Sequence, residues 1–194
     1  MSAVYVISGA KGGVGATTVA AVLALELSRE DGPLVTAVDW TGTGDLAAVL
    51  GVVAPVGAEL VQVRPGLVLG WPESPATLAG DVVIDAGTDP AAVLQTVDPA
   101  PCVSVRVVRD DYLSLRHIAE DGPRCDRLVC MTRLGAALRP VDVEHVAGHR
   151  VDVVLPVDPI IARAVDAGLL STRLPGVVMA AHVARGVIGE AVTA

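Results

Sequence analysis

Six short runs rich in Val and Ile punctuate the chain: Ala3 to Ile7, Leu34 to Val38, Val82 to Ile84, Cys102 to Val108, Leu128 to Met131 and Val151 to Leu155. Apolar runs of this length, without polar alternation, are what strands buried on both faces require. Between them lie stretches with apolar residues at helical spacing, over 17–29, 45–50, 90–97, 112–120, 141–146 and 159–167, and a last one over 177–192. Strand alternating with helix predicts an α/β fold, a doubly wound and mostly parallel sheet with helices on both faces. The 55–75 region is broken by Pro55, Gly57, Pro65, Gly66, Gly70, Pro72 and Pro75, and its two apolar pieces, 59–63 and 67–69, suit a small hairpin or edge strand. No repeat or linker interrupts the pattern. The 194 residues leave room for one sizeable core, so a single domain over 1–194 is expected.

Composition narrows the function classes. With 22 acidic against 14 basic side chains, the chain carries a formal charge of −8. Such a surface repels phosphate backbones over roughly 10 Å at physiological salt, so nucleic acid is not indicated as a partner. The densest basic patch, Arg106, Arg109, Arg116, Arg124, Arg127, Arg133 and Arg139, is interleaved with acids and is expected to be a solvated face. Cys102, Cys125 and Cys130 are odd in number and form no CxxC pair, which argues against a disulfide framework or zinc site and fits a reduced cytosol. No apolar run reaches the ~18 residues that span a bilayer, and no basic region precedes the first apolar stretch. A cytoplasmic protein without an integral membrane segment is therefore expected. The 177–192 stretch offers only His182 and Arg185 against Glu190, so packing on its own sheet is expected rather than membrane binding.

In a doubly wound sheet, ligands bind at the carboxyl edge of the strands. Three runs end there in an informative residue: the first enters Gly9-Ala10-Lys11-Gly12-Gly13-Val14-Gly15-Ala16-Thr17-Thr18, the second ends in Asp39 and the third in Asp85. Glycines between a strand and a helix let backbone N–H groups converge on an anion, and the helix start adds its positive end. Phosphate is the natural occupant. Thr17 stands where phosphate-binding loops place the hydroxyl that holds Mg²⁺, Asp85 resembles the Walker B acid, and Asp39 a second carboxylate on the magnesium side. Lys11 is the only lysine in the chain. Against G-x-x-x-x-G-K-[ST], Ala10 replaces the first glycine and Ala16 the lysine.

Lys11-Gly12-Gly13-Val14-Gly15-Ala16-Thr17-Thr18 resembles the deviant Walker A loop of the MinD/ParA family of P-loop ATPases, usually KGGVGKTT. The segment from Asp39 to Gly51 is similar to the family's D-x-D segment and the helix after it, Asp81 to Gly87 to its Walker B strand, and Leu155-Pro156-Val157-Asp158-Pro159 to the loop that lies against the adenine. The resemblance implies ATP and Mg²⁺ as cofactors, with Gly12, Gly13, Val14, Gly15, Ala16, Thr17, Thr18, Asp39, Asp85, Thr132, Arg133, Pro156, Val157 and Asp158 around the nucleotide. It implies Thr17, Asp39 and Asp85 at the metal, and a face-to-face homodimer in which Lys11 reaches the partner's phosphates. Three positions depart from the family pattern. Ala16 lacks the loop lysine, Thr41 replaces the second acid of D-x-D, and Thr132-Arg133 stands where an Asn usually lies near the base. A missing loop lysine with a retained GATT is most similar to the CpaE/TadZ branch of pilus-assembly localisation proteins, whose extra receiver-like domain has no counterpart here.

The expected function is an ATP-binding dimerisation switch that positions or partitions a cellular assembly, with a protein cargo or adaptor, and at most slow hydrolysis. One well-placed cation is worth roughly 10³–10⁵ in phosphoryl-transfer rate, whereas binding retains the backbone donors and the metal. A nucleotide-independent scaffold with a decayed loop and a P-loop small-molecule enzyme are the alternatives. The second would need an acid or base near the loop, and His117, His145, His149 and His182 are remote from it in sequence. With no Asn in the chain there is no guanine-reading Asn-Lys-x-Asp motif, which favours adenine. Asp45, Asp110, Asp111 and Asp158 are each placed to start a helix, and Trp40 and Trp71 are expected in the core or at its edge.

Overall fold

The computed structural model describes residues 3–28, 33–53, 60–71, 78–97, 101–122, 124–172, 183 and 185–188. In chain order the elements are β1 (Val4–Gly9), α1 (Ala16–Leu27), β2 (Val35–Asp39), α2 (Asp45–Leu50), β3 (Val61–Arg64), β4 (Leu67–Gly70), β5 (Asp81–Asp85), α3 (Ala91–Val97), β6 (Cys102–Arg109), α4 (Tyr112–Asp121), β7 (Arg127–Thr132), α5 (Pro140–Ala147), β8 (Val153–Pro156) and α6 (Pro159–Asp166). The strands form one eight-stranded sheet in the order β3-β4-β2-β5-β1-β6-β7-β8. All pairs are parallel except β3 with β4, the expected hairpin, whose second strand also joins β2. The α/β architecture read from the sequence is the one observed.

β1 lies between β5 and β6, with all six residues buried. From there the chain winds to β2 and β5 on one side, then crosses back to β6, β7 and β8 on the other. Adjacent loops diverge at such a reversal and leave a crevice above the carboxyl ends of the strands. That crevice opens directly over the glycine loop.

Helices cover both faces. α1 carries Val19, Ala20, Ala21, Val22, Leu23, Ala24 and Leu25 out of solvent, on one core shared with α2, α6, Ile7, Val107 and Leu155. A helix apolar on all sides is a buried helix, and its alanines let sheet and neighbouring helix approach closely. On the opposite face, α4 and α5 pack through Leu115, Ile118 and Val143 on Val108, Leu128 and Cys130. α3 packs through Val93 and Val97 on Val4, Val6 and Ile84. Trp40 packs at the edge of that last cluster and Trp71 is buried against α1's side.

Within 177–192, the described residues agree with packing on the sheet: Val183 and Val187 are buried, Ile188 packs beside them, and a β-carbon at Gly186 would collide with Val153. The rest of that stretch lies outside the described residues, as do 54–59 and 72–77 of the Pro- and Gly-rich region. Among the described residues no helix is long and apolar enough to cross a membrane. The cysteines are free; burial pushes the thiol of the core residue Cys130 up to about 12 and those of Cys102 and Cys125, half-buried at the edges of two core clusters, to about 11. The arginine patch does not behave as one solvated face. Arg106 is buried, its Nη1 donating to Ser8 Oγ and to the Thr88 carbonyl, both at 3.3 Å.

Gly51 ends α2 at φ 72°, where an added β-carbon would collide with the carbonyl oxygen of Gly168 beyond α6. This backbone contact sets the distance between two helices that wall the crevice. Gly51→Ala is expected to cost at least about 2 kcal/mol in urea unfolding, combining strain and overlap. Gly148→Ala, at φ 60° but facing open space, is expected to cost about 1 kcal/mol.

Candidate functional site

The loop after β1 is held at its root by two backbone bonds, Gly9 N–H to Gly87 O at 2.7 Å and Ala10 N–H to Val107 O at 2.8 Å. It then folds over itself. A β-carbon at Gly9 would lie 2.9 Å from the Lys11 carbonyl oxygen, and Val14 inserts its side chain into the core below. At Gly12 and Gly13 an added β-carbon would meet nothing within 4 Å, so this side of the loop faces open space. Gly15, at φ 102°, is the N-cap of α1, which has no side-chain cap and no acid in its first turn. The first amide N–H groups of a helix have no partner within it. Here they lack a side chain as well, at the floor of a cavity of about 820 Å³ lined by residues 11–18.

One corner of that cavity is acidic. Parallel pairing sets Asp39 beside Asp85 at the ends of β2 and β5. The Asp85 carboxylate is buried, accepts from the Thr17 hydroxyl and from Gly87 N–H at 3.1 Å, and lines the cavity. Burial is the main cause that raises its pKa, opposed by those two hydrogen bonds and reinforced by Asp39 and Asp45. Asp39 is turned the other way. Its carboxylate accepts from Thr41 Oγ1 at 2.7 Å, Gly42 N–H at 3.1 Å and Gly44 N–H at 2.9 Å, which folds the 41–44 loop and presents Thr41 and Thr43 to the cavity. The geometry thus puts Thr17 and Asp85 together and gives Asp39 the supporting place behind them. Among the described residues no three His, Cys, Asp or Glu side chains cluster as a metal cage. Thr17 and Asp85 with phosphate oxygens and water would suit Mg²⁺, which keeps several waters and takes few protein ligands.

Asp45 is the first residue of α2 behind an N-cap of Gly44, so it does not cap the helix as the sequence suggested; it lines the cavity instead. Lys11 lies at the cavity's edge with Nζ 3.7 Å from Asp111 Oδ2. Asp111 also caps α4, accepting from Ser114 N–H at 2.8 Å. Asp110, expected to cap as well, is buried and clamps Arg133, accepting from its backbone N–H at 2.6 Å and its Nε at 3.2 Å.

The far wall is mostly apolar, with Asp158 and Asp166 as its carboxylates. Pro156, Val157 and Asp158 line it with Ile161, Ala162 and Val165 of α6, and Asp158 caps that helix by accepting from Ile160 N–H at 2.7 Å. A planar base fits such a surface. Thr132 and Arg133 are not among the lining residues; Thr132 holds the wall from behind, its carbonyl accepting from Val157 N–H at 2.7 Å. His117, His145 and His149 do not line the cavity either, and His182 lies outside the described residues. Sequence reasoning missed Arg109, Met131 and Thr88, which do line it. For Arg109 a signal was present: Val105, Val107 and Arg109 alternate along β6 and share one face.

No protein-family model and no curated protein matches the sequence. Solved structures do. A ParA family ATPase from Chlorobium tepidum superposes with a TM-score of 0.74 at 17% identity, covering 95% of this chain and 98% of that one. The fold is that of the MinD/ParA P-loop ATPases. The cell division ATPase MinD of Pyrococcus furiosus gives a TM-score of 0.73 at 18% identity over 97% and 98% of the two chains. The septum site-determining protein MinD of Pyrococcus horikoshii, solved with Mg-ADP, gives 0.67 at 16% over 96% and 94%.

A carboxyl whose folded pKa is raised contributes stability that is present below its ordinary value near 4 and lost as pH rises through the raised folded value. Above that raised value the buried Asp85 carboxylate is held ionised at a cost to the fold. Asp85→Asn keeps the acceptor for Gly87 N–H, and is expected to raise the Tm of the ligand-free protein at pH 7, with the gain vanishing below about pH 4. A lower Tm at pH 7 would contradict that reading of the corner.

Proposed function

We propose that the chain binds Mg-ATP in this cavity and that the bound nucleotide closes a homodimer, as a switch that positions or partitions a cellular assembly through a protein cargo or adaptor. The observation that carries the proposal is the convergence of uncapped α1 N–H groups, the open face of Gly12 and Gly13, and the Thr17–Asp85 pair on one cavity. Phosphates would rest on the amides of residues 12–18, magnesium between Thr17, Asp85 and the phosphates, and adenine against Pro156, Val157 and α6. The structural neighbours point to the same class: they include the MinD proteins above, a MinC:MinD cell division complex from Aquifex aeolicus and a McdA structure.

Hydrolysis is expected to be slow. Ala16 supplies no cation to the phosphates, and Thr41 donates its hydroxyl to Asp39 rather than offering a carboxylate to a water. One absent cation accounts for roughly 10³–10⁵ in rate. The likeness of the loop to the CpaE/TadZ branch accords with a localisation protein that turns over little ATP.

Lys11 is the residue we assign to the partner's phosphates, and to reach them it must leave Asp111. The side chains are about one-fifth exposed, 22% and 21%, but at 3.7 Å the contact is long and lies at the cavity mouth; such a pair is worth about 1 kcal/mol, so it restrains Lys11 weakly. In light scattering, Mg-ATP is expected to double the mass of the wild type and to leave Lys11→Ala monomeric; one mass under all conditions would remove the switch. Asp111→Asn, which keeps the cap on α4, is expected to lower the ATP concentration at half-dimerisation by up to about fivefold. A higher concentration would mean that Asp111 assists closure.

A further inference from the structure

A phosphate cradle in a chain of net charge −8 needs cations close to the ligand. The cavity lining holds four carboxylates, Asp45, Asp85, Asp158 and Asp166, and two cations, Lys11 and Arg109. Lys11 is paired with Asp111 in the same chain. Ala16, where a loop lysine would stand, is uncharged.

Arg109 is placed by its strand. Val105 and Val107 point to the side of the sheet that α1 covers, whereas Val108 packs on the α4 and α5 side. Two residues beyond Val107, Arg109 therefore faces the α1 side. The register of β6 with β7 sets it beside Met131, whose Cε lies 3.6 Å from the position of a β-carbon on Gly15. The last residue of β6 thus projects its guanidinium into the space over the start of α1. The residue is half-buried, with its Nε buried and without a hydrogen-bond partner; among the described residues it makes no ion pair within 4 Å, and its charge helps to lower the pKa of Asp111. A buried guanidinium donor left unsatisfied is costly, and a phosphate satisfies it well, since the guanidinium fork matches two phosphate oxygens.

We infer that Arg109 is the same-chain cation of this phosphate site, taking the electrostatic part that Ala16 has given up. The ligand class is a polyphosphate chelated to magnesium. The inference rests on the nucleotide reading above for the ligand, but concerns a residue which that reading does not use. It makes the loop's missing lysine a relocation of charge from the first turn of α1 to the end of β6.

Wild type, Arg109→Gln and Arg109→Lys are to be titrated by calorimetry with Mg-ATP and with magnesium inorganic triphosphate. Gln is neutral and keeps the aliphatic stem and an N–H donor near the position of Nε; Lys keeps the charge and most of the reach. Loss of a charge-assisted bond predicts binding of both probes roughly ten- to a hundredfold weaker in Arg109→Gln, with Arg109→Lys within about fivefold of wild type. Arg109→Gln binding as tightly as wild type would overturn the inference, and so would Arg109→Lys as weak as Arg109→Gln. Wild type that binds triphosphate but not Mg-ATP would defeat the nucleotide reading and leave Arg109 to be judged on triphosphate alone. Wild type that binds neither at millimolar concentration would defeat both.

Discussion

The candidate site depends on a helix whose first amides find no side-chain cap. α1 is buried on all sides, so its axis is fixed by the core and not by its ends. Its start is a glycine in the left-handed region, with neither a side-chain cap nor an acid in the first turn. Unpartnered N–H groups are tolerated where water or a ligand reaches them. The cavity above the loop provides that access, and the positive end of the helix gives it a preference for anions. The same buried strand and helix that stabilise the fold therefore leave an anion-favouring cavity at the carboxyl edge of the sheet.

The acidic corner is the counterpart. Two carboxylates at neighbouring strand ends repel each other and resist burial, so one of them, Asp39, is saturated by three donors from its own loop. The other, Asp85, keeps a place on the cavity wall at the price of a raised pKa. Under the proposed function, a magnesium ion beside Thr17 and Asp85 would offset that cost. On the same proposal, Ala16 in place of a loop lysine and Thr41 in place of a second acid would weaken chemistry more than binding, because the backbone donors do not depend on side-chain identity.

Much of this was legible in the sequence. Undisguised Val- and Ile-rich runs located the parallel strands, and Lys11 after β1, Asp39 at the end of β2 and Asp85 at the end of β5 marked the crevice. Asp85, Thr17, the glycines and the 156–158 wall share one cavity, as their positions suggested. The misses share a cause: they were read from local sequence where the answer lay across strands. Arg109 was counted with nearby arginines on a solvated face, although strand alternation turns it inward. Asp110 and Asp45 were read as helix caps, but the cap positions fall one residue later and one earlier, at Asp111 and Gly44. Thr132 and Arg133 occupy the expected strand end, yet the Asp110 clamp and the Thr132 carbonyl turn them to supporting the wall.

The most direct test of the account is a crystal structure with Mg²⁺ and a non-hydrolysable ATP analogue at saturating concentration. The account predicts phosphates on the amides of residues 12–18, magnesium beside Thr17 and Asp85, and the base against Pro156 and Val157. A nucleotide bound elsewhere, or a cavity without nucleotide at that concentration, would contradict it.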